Sequence, residues 1–252
     1  MSDKTSSIPI KSGLAAYVLA TLSFVIGVGS LIVFTVFLYV GSLHVTELGV
    51  GITQILLLDT CLCLAFFIQH SGMIRTGTQH WMSRLIPEHY LRAMFSVVSG
   101  FVLLTLVILW QESTIVLLSA DGLYRLALRA LFFLAIAGQV WGTWSLKSAD
   151  LFGINAVLRN EAATRLPTPI VIRGPYRWVR HPLYLTTLAM IWSHPDLTAD
   201  RLLFNVLFTV WIIVGTILEE RDIVGVYGDD YREYQRSVPM LIPYRKPSGE
   251  TT

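Results

Sequence analysis

Twelve residues, Arg173–Tyr184 (RGPYRWVRHPLY), hold three arginines, one histidine and two prolines between two apolar stretches. Pro182 suits the first position of a helix, which puts Arg180 and His181 at its start, where free backbone N–H groups favour anions. The Arg180 guanidinium adds a fork that fits a carboxylate or a phosphate. One hydrophobic hairpin later come Glu219-Glu220-Arg221-Asp222 and then Tyr227-Gly228-Asp229-Asp230-Tyr231-Arg232-Glu233-Tyr234. A carboxylate such as Glu219 or Glu220 can accept both hydroxyls of a ribose. Gly228 interrupts the helix and Asp229 can cap the next, so that Tyr231 and Tyr234 share a face as aromatic walls for a flat base. Singly, each feature has a plainer reading, juxtamembrane Arg as an anchor and interfacial Tyr as a belt. Anion site, diol acceptor and stacking walls together describe a pocket for a nucleoside-bearing cofactor.

The elements that must position these groups are membrane helices. At 54% hydrophobic and 14% charged residues, with mean hydropathy +0.60, the 252-residue chain is too apolar for a soluble domain. Its net charge of +2 gives no reason to expect nucleic acid as a partner. Apolar runs cover Leu14–Val40, Val50–Ile68, Met94–Trp110, Leu126–Leu146, the shorter Leu183–Ser193, and Leu202–Leu218. The expected fold is all-α, a polytopic integral membrane protein of about six transmembrane helices with a cofactor pocket at the cytosolic face. A drop in apolarity over Ala149–Thr168 divides residues 1–148, an N-terminal helix bundle, from residues 149–252, which carry the motifs and two further membrane helices. With both termini on one side, only Arg125, Arg129 and Arg201 of the 19 Lys and Arg fall on the other. That bias puts both termini in the cytoplasm. The polar start, MSDKTSSIPIKSG, precedes an apolar run too long for a cleaved signal, so a retained first helix is expected.

Other signals have local readings. Cys61 and Cys63 stand two apart on one helix and point in different directions, as small core residues rather than a disulfide or metal ligands. Gly27-Val28-Gly29 lies mid-helix, where close packing explains it better than a dinucleotide fingerprint. Gly138 and Gly142 form a small-xxx-small pair. Asp59, inside a span, carries an insertion cost of roughly 2.5–3.5 kcal/mol. Gln54 and Gln139 are its candidate partners, and a proton or substrate role is the alternative.

GPYRWVRHPLY followed by EERDIVGVYGDDYREYQRSVPMLIP resembles the C-terminal signature of the isoprenylcysteine carboxyl methyltransferase superfamily, over about Arg173–Tyr244. Gln69–Arg75 and Asp150-Leu151-Phe152-Gly153 are similar to its bacterial branch of methanethiol S-methyltransferases and NnrU-like proteins. The resemblance implies an integral-membrane methyltransferase that uses S-adenosyl-L-methionine. Its pocket would be formed by Arg180, His181, Pro182, Tyr184, Glu219, Glu220, Tyr231 and Tyr234. Arg180 and Glu220 form the expected functional pair, one on the cofactor carboxylate and the other on its ribose, at opposite ends of the bound molecule. His70 and Arg75 are acceptor-side candidates. The acceptor would be a small thiol, a prenyl-cysteine carboxylate or a lipid, with membrane lipid around it, in a bacterial inner membrane. Two departures stand out: Thr186, where the family often has Gly, and Lys147-Ser148, where the thiol-methylating branch carries an Asn-His pair. The second counts against methanethiol as acceptor. The same signature resembles NADPH-dependent membrane sterol reductases, which have more helices and want a more basic pocket. A non-catalytic membrane accessory protein of this fold is the third alternative.

Overall fold

The computed structural model describes residues 13–146, 150–160, 170 and 172–247. The polar N-terminal segment up to residue 12, Lys147, Ser148 and much of the expected dividing segment lie outside the described residues.

Among the described residues five helices are long and apolar enough to cross a membrane, α1 (Leu14–Val40), α2 (Ile52–Ile74), α4 (Glu88–Leu109), α5 (Gly122–Ser145) and α8 (Ala199–Tyr227), while α3 (Thr76–Ser83) and α6 (Ile154–Arg159) are short. Uninterrupted apolar runs become helices in lipid because only a helix satisfies its own backbone there. Their ends follow local chemistry. Gly41, at φ +99°, stops α1 with its N–H on the Phe37 carbonyl at 2.9 Å. Gly228, at φ +59°, stops α8 and starts the short α9 (Asp229–Ser237). At the other end of α8, Thr198 caps the helix by accepting from the Arg201 N–H.

Of the about six spanning helices expected, the fifth, whose run is below the usual spanning length, is not matched by a helix long enough to span. Leu183–Ser193 becomes α7 (Pro182–Trp192), with 11 residues. At 1.5 Å per residue that is about 16 Å, roughly half of a hydrocarbon core of about 30 Å. The chain nevertheless runs the distance between the two ends of α8. α7 starts beside Glu220, and ten residues later the Trp192 indole donates to Thr209 Oγ1 at 2.9 Å. Ser193–Pro195 then leads into β2 (Asp196–Thr198), which pairs antiparallel with β1 (Val116–Ser119) from the connection between α4 and α5. Among the described residues this strand pair is the exception to an otherwise helical fold.

α1 packs along α4, α5 along α7, and α2 against α4 and α8. Phe34, Phe37, Phe66, Phe67, Trp110, Phe204 and Phe208 fill the centre. Glycines set the spacing, as the small-residue patterns predict. A Cβ at Gly27 would stand 2.5 Å from Ser96 Oγ, one at Gly138 2.6 Å from Thr186, and one at Gly142 2.6 Å from Leu183. Cys63 is buried and Cys61 exposed, both as free thiols. Asp59 is fully buried but pairs with neither expected glutamine, since its Oδ1 accepts from the Gln111 backbone N–H at 3.1 Å. Gln54 instead holds the Gly51 N–H, and Gln139 bonds Thr186 and Thr187.

Candidate active site

The start of α7 is held by the chain's own tail. The Arg180 and His181 backbone N–H groups donate to Pro239 and Met240 at 2.9 and 3.1 Å. The Arg180 side chain then meets α8: Nε donates to Glu220 Oε1 at 2.6 Å and Nη2 to Oε2 at 2.9 Å, a bidentate pair. Nη1 donates to the carbonyls of Gln235 and Val238. Glu220 also receives Gln235 Nε2 at 3.0 Å and Tyr231 OH at 3.5 Å, with His181 Nε2 at 3.2 Å. The two side chains are 7% and 11% exposed, so this hub is dry as well as saturated. It ties α7, α8, α9 and the tail together. Arg180 and Glu220 grip each other instead of standing at opposite ends of a ligand-sized gap.

Burial pushes His181 below the usual imidazole range, against the upward pull of Glu219 and Glu220. Its ring stacks on Tyr184 at 5.4 Å, 5° from parallel. Tyr231 and Tyr234 are buried against Val238 rather than open to a ligand. They meet edge to face at 5.7 Å, and the Tyr234 hydroxyl donates to the Tyr176 carbonyl at 2.6 Å. Burial and then neighbouring charge or phenol raise both hydroxyls, keeping them as neutral donors.

Glu219, its side chain 43% exposed, faces the other way. It accepts from the Tyr184 hydroxyl at 2.7 Å and forms part of the wall of a cavity of about 210 Å³ between α2, α7 and α8. Opposite stand His70 and Ser71 on α2 and Arg75 just beyond its end, with Trp211 and Asp222 on α8. Residues expected on the cofactor side and on the acceptor side thus share one space. The His70 ring sits among Phe66, Phe95 and Trp211, and its buried Nδ1 has no hydrogen-bond partner among the described residues. Arg75 pairs with Asp222 at 3.1 Å near the mouth.

Sequence reasoning missed Trp211, which lies in an apolar run indistinguishable from its neighbours. Phe67 stacks on its indole at 4.7 Å, and its N–H donates to Ser71 Oγ at 2.9 Å. Gln235 was missed too, although its place next to Tyr234 was a signal. Thr186 turns towards α5, bonding Gln139 and resting on Gly138, so it takes no room from the cavity.

Comparison with known proteins decides the family. A methanethiol S-methyltransferase of a Pseudomonas strain is 37% identical over 202 residues, 78% of this chain and 77% of that protein. One from Mycobacterium tuberculosis is 34% identical over 197 residues, 77% of this chain and 80% of its own length. The chain belongs to the methanethiol S-methyltransferase family. It is an integral-membrane methyltransferase, as the C-terminal signature implied. The Lys147-Ser148 departure does not take it out of that family. A more distant likeness is to nurim of Rattus norvegicus, 25% identical over 66% of each chain. No family model and no solved structure matches the chain.

Proposed function

We propose that the protein transfers a methyl group from S-adenosyl-L-methionine to a small thiol in the cavity between α2, α7 and α8. The observation that carries this reading is the meeting of Glu219 and Tyr184 with His70 and Trp211 around one space. The matched methanethiol S-methyltransferases point to a thiol as acceptor. The donor set suits the cofactor: a half-exposed carboxylate for hydroxyls, an indole for a flat base, and Arg75 at the mouth for a carboxylate. When bound, S-adenosyl-L-methionine supplies a methyl on a sulfonium that leaves as a neutral thioether. The chain's own work is positioning, desolvation and removal of one proton. Tyr184 fixes the Glu219 carboxylate, and the aromatic wall around His70 excludes water, so that a thiol can approach in line.

A thiol holds its proton at neutral pH, with cysteine near pKa ~8.5 as the guide. The imidazole of His70, which lines the cavity, receives that proton as the new S–CH₃ bond forms and the donor's breaks. Arg180 and Glu220 act as positioning residues, locking the start of α7 to α8 so that Tyr184 reaches Glu219. The Lys and Arg distribution favours the cytosol for this end of the molecule, and the bacterial relatives favour the inner membrane.

The test is titration of detergent-purified protein with S-adenosylhomocysteine and, separately, with a reduced nicotinamide dinucleotide. The expected result is micromolar binding of the first, equivalent to about 8 kcal/mol, and far weaker binding of the second. Binding of the dinucleotide alone would make the protein a reductase.

A further inference from the structure

Two arginine–carboxylate pairs stand near the cavity between α2, α7 and α8, and they are built in opposite ways. Arg180 and Glu220 are buried and bidentate, and further donors saturate the carboxylate. Arg75 and Asp222 meet at the cavity mouth through a single contact, Nη1 to Oδ2 at 3.1 Å, with side chains 38% and 61% exposed. A guanidinium carries several N–H donors in a planar fork. Among the described residues the Nε and Nη2 of Arg75 find no acceptor, and Asp222 Oδ1 finds no donor.

The backbone aims both residues at the mouth. α2 ends at Ile74, and Arg75, extended at φ −63° and ψ 137°, turns the chain before α3 begins at Thr76. Asp222 stands three residues beyond Glu219 on α8, so the two carboxylates are neighbours on the helix surface. The wall therefore holds one guanidinium and two carboxylates, Arg75, Glu219 and Asp222. A sulfonium cofactor with an amino-acid end brings the converse, two cations and one carboxylate, and complementary charge of this kind selects and orients a ligand.

We propose that Arg75 and Asp222 form a clamp for the α-amino acid end of S-adenosyl-L-methionine, Arg75 on its carboxylate and Asp222 on its ammonium. The clamp rests on the cofactor assignment proposed for this cavity and adds Asp222 to it. An ammonium and a carboxylate on one carbon lie side by side, as the two protein groups do. The ligand can exchange for their contact without leaving a charge bare. Arg75 trades one carboxylate for another, and Asp222 trades one charged N–H donor for another. In the rival arrangement Asp222 merely occupies the place of the cofactor carboxylate and has to be displaced from Arg75. The two differ in sign: loss of the Asp222 charge weakens binding to a clamp and strengthens binding against a displaced competitor.

The experiment measures, by calorimetry on the full-length protein in detergent, the binding of three nucleosides. These are S-adenosylhomocysteine, its decarboxylated form, which keeps the ammonium alone, and 5′-methylthioadenosine, which has neither group. Asp222→Asn is expected to weaken the first two at least tenfold, and Arg75→Gln only the first. Both variants should bind 5′-methylthioadenosine within twofold of wild type. An exposed ion pair adds little to stability, so both should also unfold at the wild-type temperature. Tighter binding of S-adenosylhomocysteine by Asp222→Asn, wild-type binding in both variants, or an equal loss of all three nucleosides would overturn the clamp and leave the cofactor assignment standing. Wild type that binds none of the three would remove that assignment, and the clamp with it.

Discussion

Arg180 and Glu220 carry the largest energetic stake of any residue pair near the active site, because both are buried and each is the other's main partner. Removing one partner of a buried pair costs about 3–5 kcal/mol. Arg180→Ala should therefore lower the unfolding temperature sharply, and Glu220→Gln in that background should recover part of the loss, read by thermal denaturation in detergent. Equal stability of Arg180→Ala and wild type would make the pair incidental. Glu219 has the opposite profile, exposed to the cavity and dispensable for folding. Glu219→Gln should weaken S-adenosylhomocysteine binding about ten- to a hundredfold, the equivalent of roughly 1.5–3 kcal/mol for a charged hydrogen bond, with little change in unfolding temperature. His181 gives a pH signature. Its folded pKa lies below the ordinary value of 6.5, so the folded state binds fewer protons than the unfolded chain between the two values. Its contribution is whole above about pH 6.5 and is lost as pH falls towards the folded value. The unfolding temperature should drop between pH 7 and pH 5, and less steeply in His181→Gln. That these residues gather at one place was legible in the sequence, since the two motifs flank one hydrophobic hairpin. The anion and diol roles read from them belong to the proposal. Their partnerships were not legible, because which of two adjacent carboxylates faces inward depends on the rotation of α8 by one residue.

Helix packing brings the two halves of the site together. α5 lies so close to α7 at Gly138 and Gly142 that a side chain there would strike Thr186 or Leu183. Gly138→Ile should push α7 off α5 and disturb both Tyr184 and the Arg180 hub. Overpacking of this kind costs about 1–3 kcal/mol, and it should reduce cofactor binding although Gly138 touches no ligand. Unchanged binding in a folded Gly138→Ile variant would show that α7 is positioned by the tail alone. Five of the apolar runs could be read as helices because length and composition suffice for that. The short α7 was visible only as an anomaly. Nothing in Leu183–Ser193 announces that the rest of its path is extended chain ending in a strand, since the partner strand lies nearly eighty residues away in sequence. Trp211 stayed hidden for a related reason: in a uniformly apolar helix, periodicity does not tell a cavity wall from a lipid face. Asp59 shows the same limit, because its partner is a backbone N–H and no side-chain pattern predicts one.

Across the whole molecule, two cavities lie at the two ends of one bundle. The Arg180 hub, Glu219 and the first cavity occupy one end, and the β1–β2 pair with Arg201 occupies the other. The proposed membrane orientation rests on the Lys and Arg bias. A cysteine introduced at Glu47 should react with a membrane-impermeant maleimide from outside, and one at Ser83 only after permeabilisation. Reaction of both from the same side would remove this topology. In the proposed orientation the cavity opens to the cytosol with its aromatic wall within the span, so that a soluble methyl donor and an apolar thiol would arrive by different routes. The most direct measurement of the account is methyl transfer itself. Purified protein given S-adenosyl-L-methionine and methanethiol should form dimethyl sulfide and S-adenosylhomocysteine in equal amounts. Glu219→Gln and His70→Ala should each lower the rate at least tenfold while remaining folded. Failure of the folded wild type to methylate any small thiol, or full activity in both variants, would contradict it.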